Sequence, residues 1–208
     1  MSEKKKLPVT VYAESTPNPK TMKFVTNFLF VKNGGIVEFN SAEEAEKAPL
    51  AARLFTFPFV TGVFFSSNFI TLAKNDLVEW HDVFGEIRDY LSNYLTTGHP
   101  VFNDEPQVAK EETKKAEAPH ISAQMAHQEP QNDLEKRIVE LLEEYVRPAV
   151  EADGGAIHFR KFEAGTLSVV LKGSCSGCPS STVTLKNGIQ GLFNQMMPEV
   201  KEVVAIEG

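Results

Sequence analysis

At 208 residues the chain is long enough for one large or two small domains with their own cores, and 42% hydrophobic content places it among ordinary globular proteins. A formal net charge of −7 and a pI near 5.3 exclude the basic footprint of a nucleic-acid binder and argue against docking on an anionic membrane, so proteins and metals are the partners to expect. No apolar run approaches a membrane span, the start Met1-Ser2-Glu3-Lys4-Lys5-Lys6-Leu7-Pro8 is not a signal-peptide core, and the first arginine is Arg53; these features predict a soluble, cytoplasmic protein without a presequence.

Taken in chain order, strand-like stretches run over Val9-Thr10-Val11-Tyr12-Ala13, over Met22-Lys23-Phe24-Val25 and on to Phe28-Leu29-Phe30-Val31, and over Ile36-Val37-Glu38-Phe39, broken at Thr16-Pro17-Asn18-Pro19 and Asn33-Gly34-Gly35. A hairpin with arms Gly62–Phe65 and Phe69–Ala73 follows, turning at Ser66-Ser67-Asn68, whose short polar side chains can bond the backbone. Helices are predicted over Ser41 to Phe55, bent near Pro49, and over Val78 to Leu95, where Val83, Ile87, Tyr90, Leu91, Tyr94 and Leu95 recur at helical spacing. This half holds most of the phenylalanine, the single Trp80 and no cysteine, so it owns a separate core.

No aromatic residue lies between Phe102 and Tyr145, and the interval is rich in Glu, Lys and Ala; it cannot bury enough apolar surface to offset its ordering entropy. Residues 103–131 are therefore expected to form a flexible linker, with His120 and His127 as solvated linker histidines. Beyond it, Leu134, Ile138, Val139, Leu141, Leu142, Tyr145 and Val146 trace a helical stripe capped by Asn132, with Glu135 three residues on and Pro148 set to kink or end the helix. Asp153-Gly154-Gly155 turns into a hairpin of Ile157 to Phe162 and Leu167 to Lys172, joined at Glu163-Ala164-Gly165. Pro179 suits the first position of a second helix, with Val183, Ile189, Leu192, Phe193 and Met196 inward and Pro198 as its stop; Val200 to Ile206 makes a last short strand. The fold class is α+β: two small α+β domains, 1–102 and 132–208, joined by the linker, the second in the order helix, hairpin, Cys-x-x-Cys loop, helix, strand.

Between hairpin and helix stands Gly173-Ser174-Cys175-Ser176-Gly177-Cys178-Pro179-Ser180-Ser181, which holds the only two cysteines of the chain. A helix N-terminus favours thiolate over thiol through its partial positive charge and free N–H groups. Gly173 and Gly177 ease the loop and let amides approach sulfur, and Ser174, Ser176, Ser180 and Ser181 offer further donors. Three chemistries share this spacing. A dithiol–disulfide oxidoreductase sets Cys-x-x-Cys at a helix start, but within a βαβ context, whereas a hairpin precedes it here. Structural zinc and an iron–sulfur cluster each take four protein ligands, so either needs a second chain to complete the set.

The residues Arg147-Pro148, Asp153-Gly154-Gly155, Leu171 to Ser181 and Thr184-Leu185-Lys186-Asn187-Gly188-Ile189 closely resemble the C-terminal NifU-like domain of the Nfu iron–sulfur proteins. The first half is similar to their N-terminal domain in Thr16-Pro17-Asn18-Pro19, Leu54-Phe55, Val63-Phe64-Phe65 and Phe69-Ile70-Thr71. The resemblance implies a non-enzymatic carrier that holds one labile [4Fe–4S] cluster between two protomers of a homodimer and passes it to apo-proteins, with Cys175 and Cys178 as the family's ligands. It also implies an upstream assembly scaffold, because the cysteine-bearing scaffold and ferredoxin-like domains of larger NifU proteins are absent and clusters would be received rather than built. No role with nucleic acid or membrane follows. The other conspicuous residues read as structural: His158 on a strand, Met196 and Met197 in a core stripe, Asp153 shaping its turn, and Lys172 and Lys186 solvated.

Overall fold

The alternating stretches of the first half resolve into an antiparallel sheet of five strands, β1 (Val11–Ser15), β2 (Thr21–Thr26), β3 (Ile36–Phe39), β4 (Val60–Ser66) and β5 (Phe69–Lys74), in the spatial order β1-β2-β5-β4-β3. The coordinates are a computed structural model that describes residues 8–32, 35–103, 130–176 and 179–207, with only the backbone of 179–181 and 207. The chain divides into two compact units, Met1–Val108 and Ala109–Gly208. Residues 104–129, where nearly all of the expected linker and both His120 and His127 fall, lie outside the described residues, as do Gly177 and Cys178.

In the first unit Met22 and Phe24 on β2, Val63 and Phe65 on β4 and Ile70 and Leu72 on β5 point to one face. There they meet α1 (Pro49–Leu54) and α2 (Trp80–Thr97), whose Ile87, Leu91 and Leu95 are buried at the predicted helical spacing. Two expectations are corrected. Phe28 to Val31 is not a strand: Thr26 Oγ1 takes the Phe28 N–H at 3.1 Å, which turns the chain, and the Phe30 N–H then donates to Ser67 O at 2.7 Å. The helix expected from Ser41 is split, because Pro49 has no N–H to continue it; a 3-10 turn (Glu44–Lys47) precedes α1, and Pro49 becomes the first residue of α1.

The second unit is a two-layer α+β fold. α3 (Asp133–Leu141) starts where the sequence predicts, with Asn132 Oδ1 accepting from the Glu135 N–H at 2.9 Å and Glu135 reaching back to the Gln131 N–H at 2.6 Å. Pro148 does not stop the helix. A π turn (Leu142–Val146) absorbs the mismatch, and Pro148 falls in the first turn of α4 (Arg147–Ala152), where an N–H is not needed. The hairpin β6 (Gly155–Glu163) and β7 (Thr166–Gly173) turns at Ala164 and Gly165, both at positive φ (49° and 88°), the twist that suits a two-residue hairpin loop. α5 (Pro179–Met196) then crosses to β8 (Glu202–Glu207), which pairs parallel with β7 in the order β6-β7-β8.

Ile157 and Phe159 of β6, Leu167, Val169 and Leu171 of β7, and Val203 of β8 share one core with Ile138 and Leu141 of α3 and Ile189 and Phe193 of α5. The inward face of α5 differs from the expected one at its ends: Val183 is 58% and Met196 44% exposed, while Met197, just past the helix, is buried. α5 is buried along its middle turns, at Ile189 and Phe193, so apolar spacing overstates burial at its tips.

Candidate metal centre

β7 ends at Gly173, whose φ of 67° belongs to the left-handed region, so the chain can leave the sheet there without Cβ strain. Gly173 pairs with Gly155 in the β6–β7 ladder, and the loop folds back over that pair. The Ser174 N–H donates to Gly154 O at 3.3 Å, and the Ser174 hydroxyl donates to Asp153 O. Ser176 closes the loop on Gly173 O through its N–H at 3.1 Å and its hydroxyl at 2.8 Å. From the other side, Thr182 Oγ1 in the first turns of α5 donates to Cys175 O at 3.3 Å. Cys175 is thus pinned on both flanks. It is 4% exposed and belongs to the core of the second unit.

Ser174 and Ser176, offered by the sequence as donors toward sulfur, spend their hydroxyls on backbone carbonyls; the Ser174 Oγ to Cys175 Sγ separation is 4.0 Å. Asp153 accepts the Ser174 hydroxyl through its backbone carbonyl. His158 is half-buried on β6, and Met196 is exposed at the end of α5. Of the predicted ligand pair the structure places Cys175, at a β-strand-to-helix junction; Cys178 lies outside the described residues. Among the described residues no group of three or more His, Cys, Asp or Glu could hold a metal ion. Burial raises the Tyr90 and Tyr94 phenols of α2, and the hydrogen bond and charge of Lys161 lower the Glu163 carboxyl on β6. The donor chemistry suits a soft metal centre: a thiol on a tied loop that leads directly into the start of α5.

The parallel pairing of β7 with β8 revises one argument from sequence. A hairpin does precede the loop, but β7-α5-β8 is itself a βαβ unit with the cysteine loop at its β-to-α turn. A parallel pair needs such a crossover, and nothing in the spacing of the last strand announces it. Context therefore does not count against the redox reading.

Two family models match, that of the scaffold protein Nfu/NifU N terminal over residues 11–98 and that of the NifU-like domain over residues 138–204. A NifU-like protein of Schizosaccharomyces pombe is 33% identical over 95% of this chain and 73% of its own. The NFU1 iron-sulfur cluster scaffold homolog, mitochondrial, of Drosophila sechellia is 35% identical over 93% of this chain. The chain spans 63% of that relative's length. The solution structure of a NifU-like protein from Saccharomyces cerevisiae matches with a TM-score of 0.41 and 22% identity, over 50% of this chain and 92% of its own. The chain carries both domain types that define a two-domain Nfu protein, one on each side of residues 104–129. It belongs to the Nfu/NifU family.

The cytoplasmic assignment is corrected by the same findings, since the Drosophila relatives are named mitochondrial. Charge and the lack of apolar runs describe folded domains and their partners; a compartment is addressed by segments that the fold does not need. Among the described residues, no helix is long and apolar enough to cross a membrane.

Proposed function

We propose that the chain is an iron–sulfur cluster carrier of two domains, residues 1–102 and 132–208, joined by 103–131. Cys175 and Cys178 of each of two protomers supply the four thiolates for one [4Fe–4S] cluster, which is received from an upstream assembly scaffold and handed to apo-protein clients. The protein's own part is to hold and release cargo, with no turnover chemistry. The observation that carries this reading is membership in a family whose curated relatives are named cluster scaffolds, joined to a chain with only two thiols, one of them fixed at the head of α5.

The residues divide the work. Gly173, Ser174 and Ser176 hold the loop shape, Thr182 ties Cys175 to α5, and the N-terminal end of α5 favours the anionic state of a bound thiolate. Two thiolates per chain leave half of a four-ligand set, so the second protomer is required by stoichiometry. Residues 1–102, with a core of their own and no cysteine, serve to dock clients.

The βαβ setting of the loop favours one competing reading, a dithiol–disulfide oxidoreductase. Anaerobic reconstitution followed by iron, sulfide and zinc analysis separates the two. The carrier gives roughly two iron and two sulfide per chain, one four-iron cluster being shared by two chains. Native mass spectrometry showing a monomer that holds a complete four-iron cluster without external thiol would overturn the shared-cluster reading. Failure to take up iron and sulfide, with reversible Cys175–Cys178 oxidation, would favour the oxidoreductase.

A further inference from the structure

Three glycines of the second unit's described loops, Gly154, Gly165 and Gly173, stand at positive φ (80°, 88° and 67°) and are explained by backbone conformation. Gly155 is different. Its φ lies outside the left-handed region, so its backbone would accept an ordinary residue. What forbids a side chain is space: a Cβ there would stand 2.7 Å from Cys175 Sγ, 2.8 Å from Lys172 O and 3.2 Å from Cys175 Cβ. Real Cβ atoms essentially never come that close. The Lys172 carbonyl belongs to the central strand of a three-stranded sheet and has little freedom to retreat, so a Cβ at 155 has to push its own strand end away from that oxygen and displace the thiol as well.

The same turn reaches the cysteine loop by two further ties. Ser174, 2% exposed, donates its hydroxyl to Asp153 O and its N–H to Gly154 O at 3.3 Å. Asp153, Gly154 and Gly155 thus each touch the loop, the first two by accepting hydrogen bonds and the third by leaving room. Asp153 is also the C-cap of α4, its N–H bonded to Ala149 O at 3.1 Å, so the seat is anchored to a helix. Thr182 completes it from α5.

We propose that Gly155 and Ser174 are positioning residues for the Cys175 sulfur: the Asp153–Gly155 turn forms a seat that only glycine can provide, and this seat sets where the ligand thiolate stands. The proposal rests on the reading of Cys175 as a cluster ligand, and it places part of the metal centre some twenty residues upstream of the cysteine motif. A bulkier residue 155 drives the sulfur out of the core toward solvent while leaving the thiol chemistry itself untouched.

The test uses the full chain and two readouts. In a Cys178→Ser background Cys175 is the only thiol, and its rate of reaction with 5,5′-dithiobis(2-nitrobenzoate) under native conditions reports the seating of the sulfur directly. Gly155→Ala is expected to raise that rate roughly tenfold and Ser174→Ala by a smaller factor, because protection of a buried group follows local opening. Gly191→Ala on α5, whose added Cβ meets nothing within 4 Å, is the control and leaves the rate unchanged. In chains keeping both cysteines, the half-life of the reconstituted cluster against a chelator, read with its visible spectrum, should shorten in the same order while far-UV circular dichroism stays unchanged. Equal labelling rates in folded Gly155→Ala and in the parent overturn the seat, as does equal acceleration in all three variants. Should Gly155→Ala not fold, Ser174→Ala decides alone: unchanged labelling and cluster lifetime overturn the proposal. If the labelling order holds but the unsubstituted chain takes up no cluster, the seat stands and the carrier reading falls.

Discussion

Cys175, the ligand proposed above, is 4% exposed and packed into the core of its unit. Cysteine is among the most buried residue types and packs as a small hydrophobe, so the sulfur contributes to the core of the second unit. In the proposed carrier the sulfur would ligate from this seat, and the loop's hydrogen bonds, which run through backbone and hydroxyl groups, would not have to be given up. Cys175→Ser and Cys178→Ser are each expected to abolish a stable cluster while leaving far-UV circular dichroism intact, because a hydroxyl is a poor ligand for a soft centre. Wild-type visible absorbance and cluster transfer in both single variants would remove the ligand assignment. Elsewhere in that core, Phe193 is fully buried on α5 between sheet and helices. Phe193→Ala should cost about 3–5 kcal/mol in urea unfolding, the range for emptying an aromatic site in a packed interior.

At the scale of elements, the C-terminal unit is organised so that one crossover serves both fold and site. α5 starts beside the cysteines and delivers the chain to β8, and Gln190 Oε1 accepts the Val203 N–H at 2.7 Å, tying the helix to the strand it feeds. α3 is held at its start by the Glu135 N–H bond to Asn132 Oδ1 and the Gln131 N–H bond to the Glu135 carboxylate, a cap at Asn132 legible in the sequence. Asn132→Ala should lower the stability of this unit by about 1 kcal/mol, measured as a shift in denaturation midpoint with the slope unchanged. A loss confined to the N-terminal unit would show that the cap does not act where the hydrogen bonds lie. Gly165 has a comparable element-level duty: it turns the hairpin at a φ of 88°, and its carbonyl receives the Lys201 and Glu202 N–H groups at 2.8 and 3.2 Å, which sets β8 in parallel register. Gly165→Val is expected to destabilise the unit and weaken cluster retention together, through the hairpin and not through the thiols.

At the scale of the whole molecule, two separate cores make the two proposed roles, cluster carriage and client docking, separable by truncation. Residues 130–208 on their own should still take up the cluster, since every named tie to Cys175 comes from within them. What they should lose is rate and selectivity of transfer to physiological apo-targets, most at low concentration, where joining two binding events in one chain matters most. Identical transfer curves for full-length and truncated protein across client concentrations would leave client docking by residues 1–102 without support.

The sequence by itself determined the features that rest on local rules: the two cores separated by an aromatic-free interval, the Asn132 cap, the hairpins turning within Ser66-Ser67-Asn68 and Glu163-Ala164-Gly165, Pro179 as a helix start, and the cysteine pair as the one place for thiolate chemistry. These depend on composition, on period and on the conformational limits of single residues, all of which are written in order along the chain. Only the tertiary structure decided the rest. That β8 runs parallel to β7 depends on which strand edge lies open after α5 crosses; that Pro148 is carried within a helix depends on a π turn that local propensity does not favour. That Val183 and Met196 face solvent depends on where along α5 the core ends. The seat of Cys175 is the clearest case. Gly155 read as half of a turn, but its meaning comes from a sulfur twenty residues away that folding brings to where its side chain would have been.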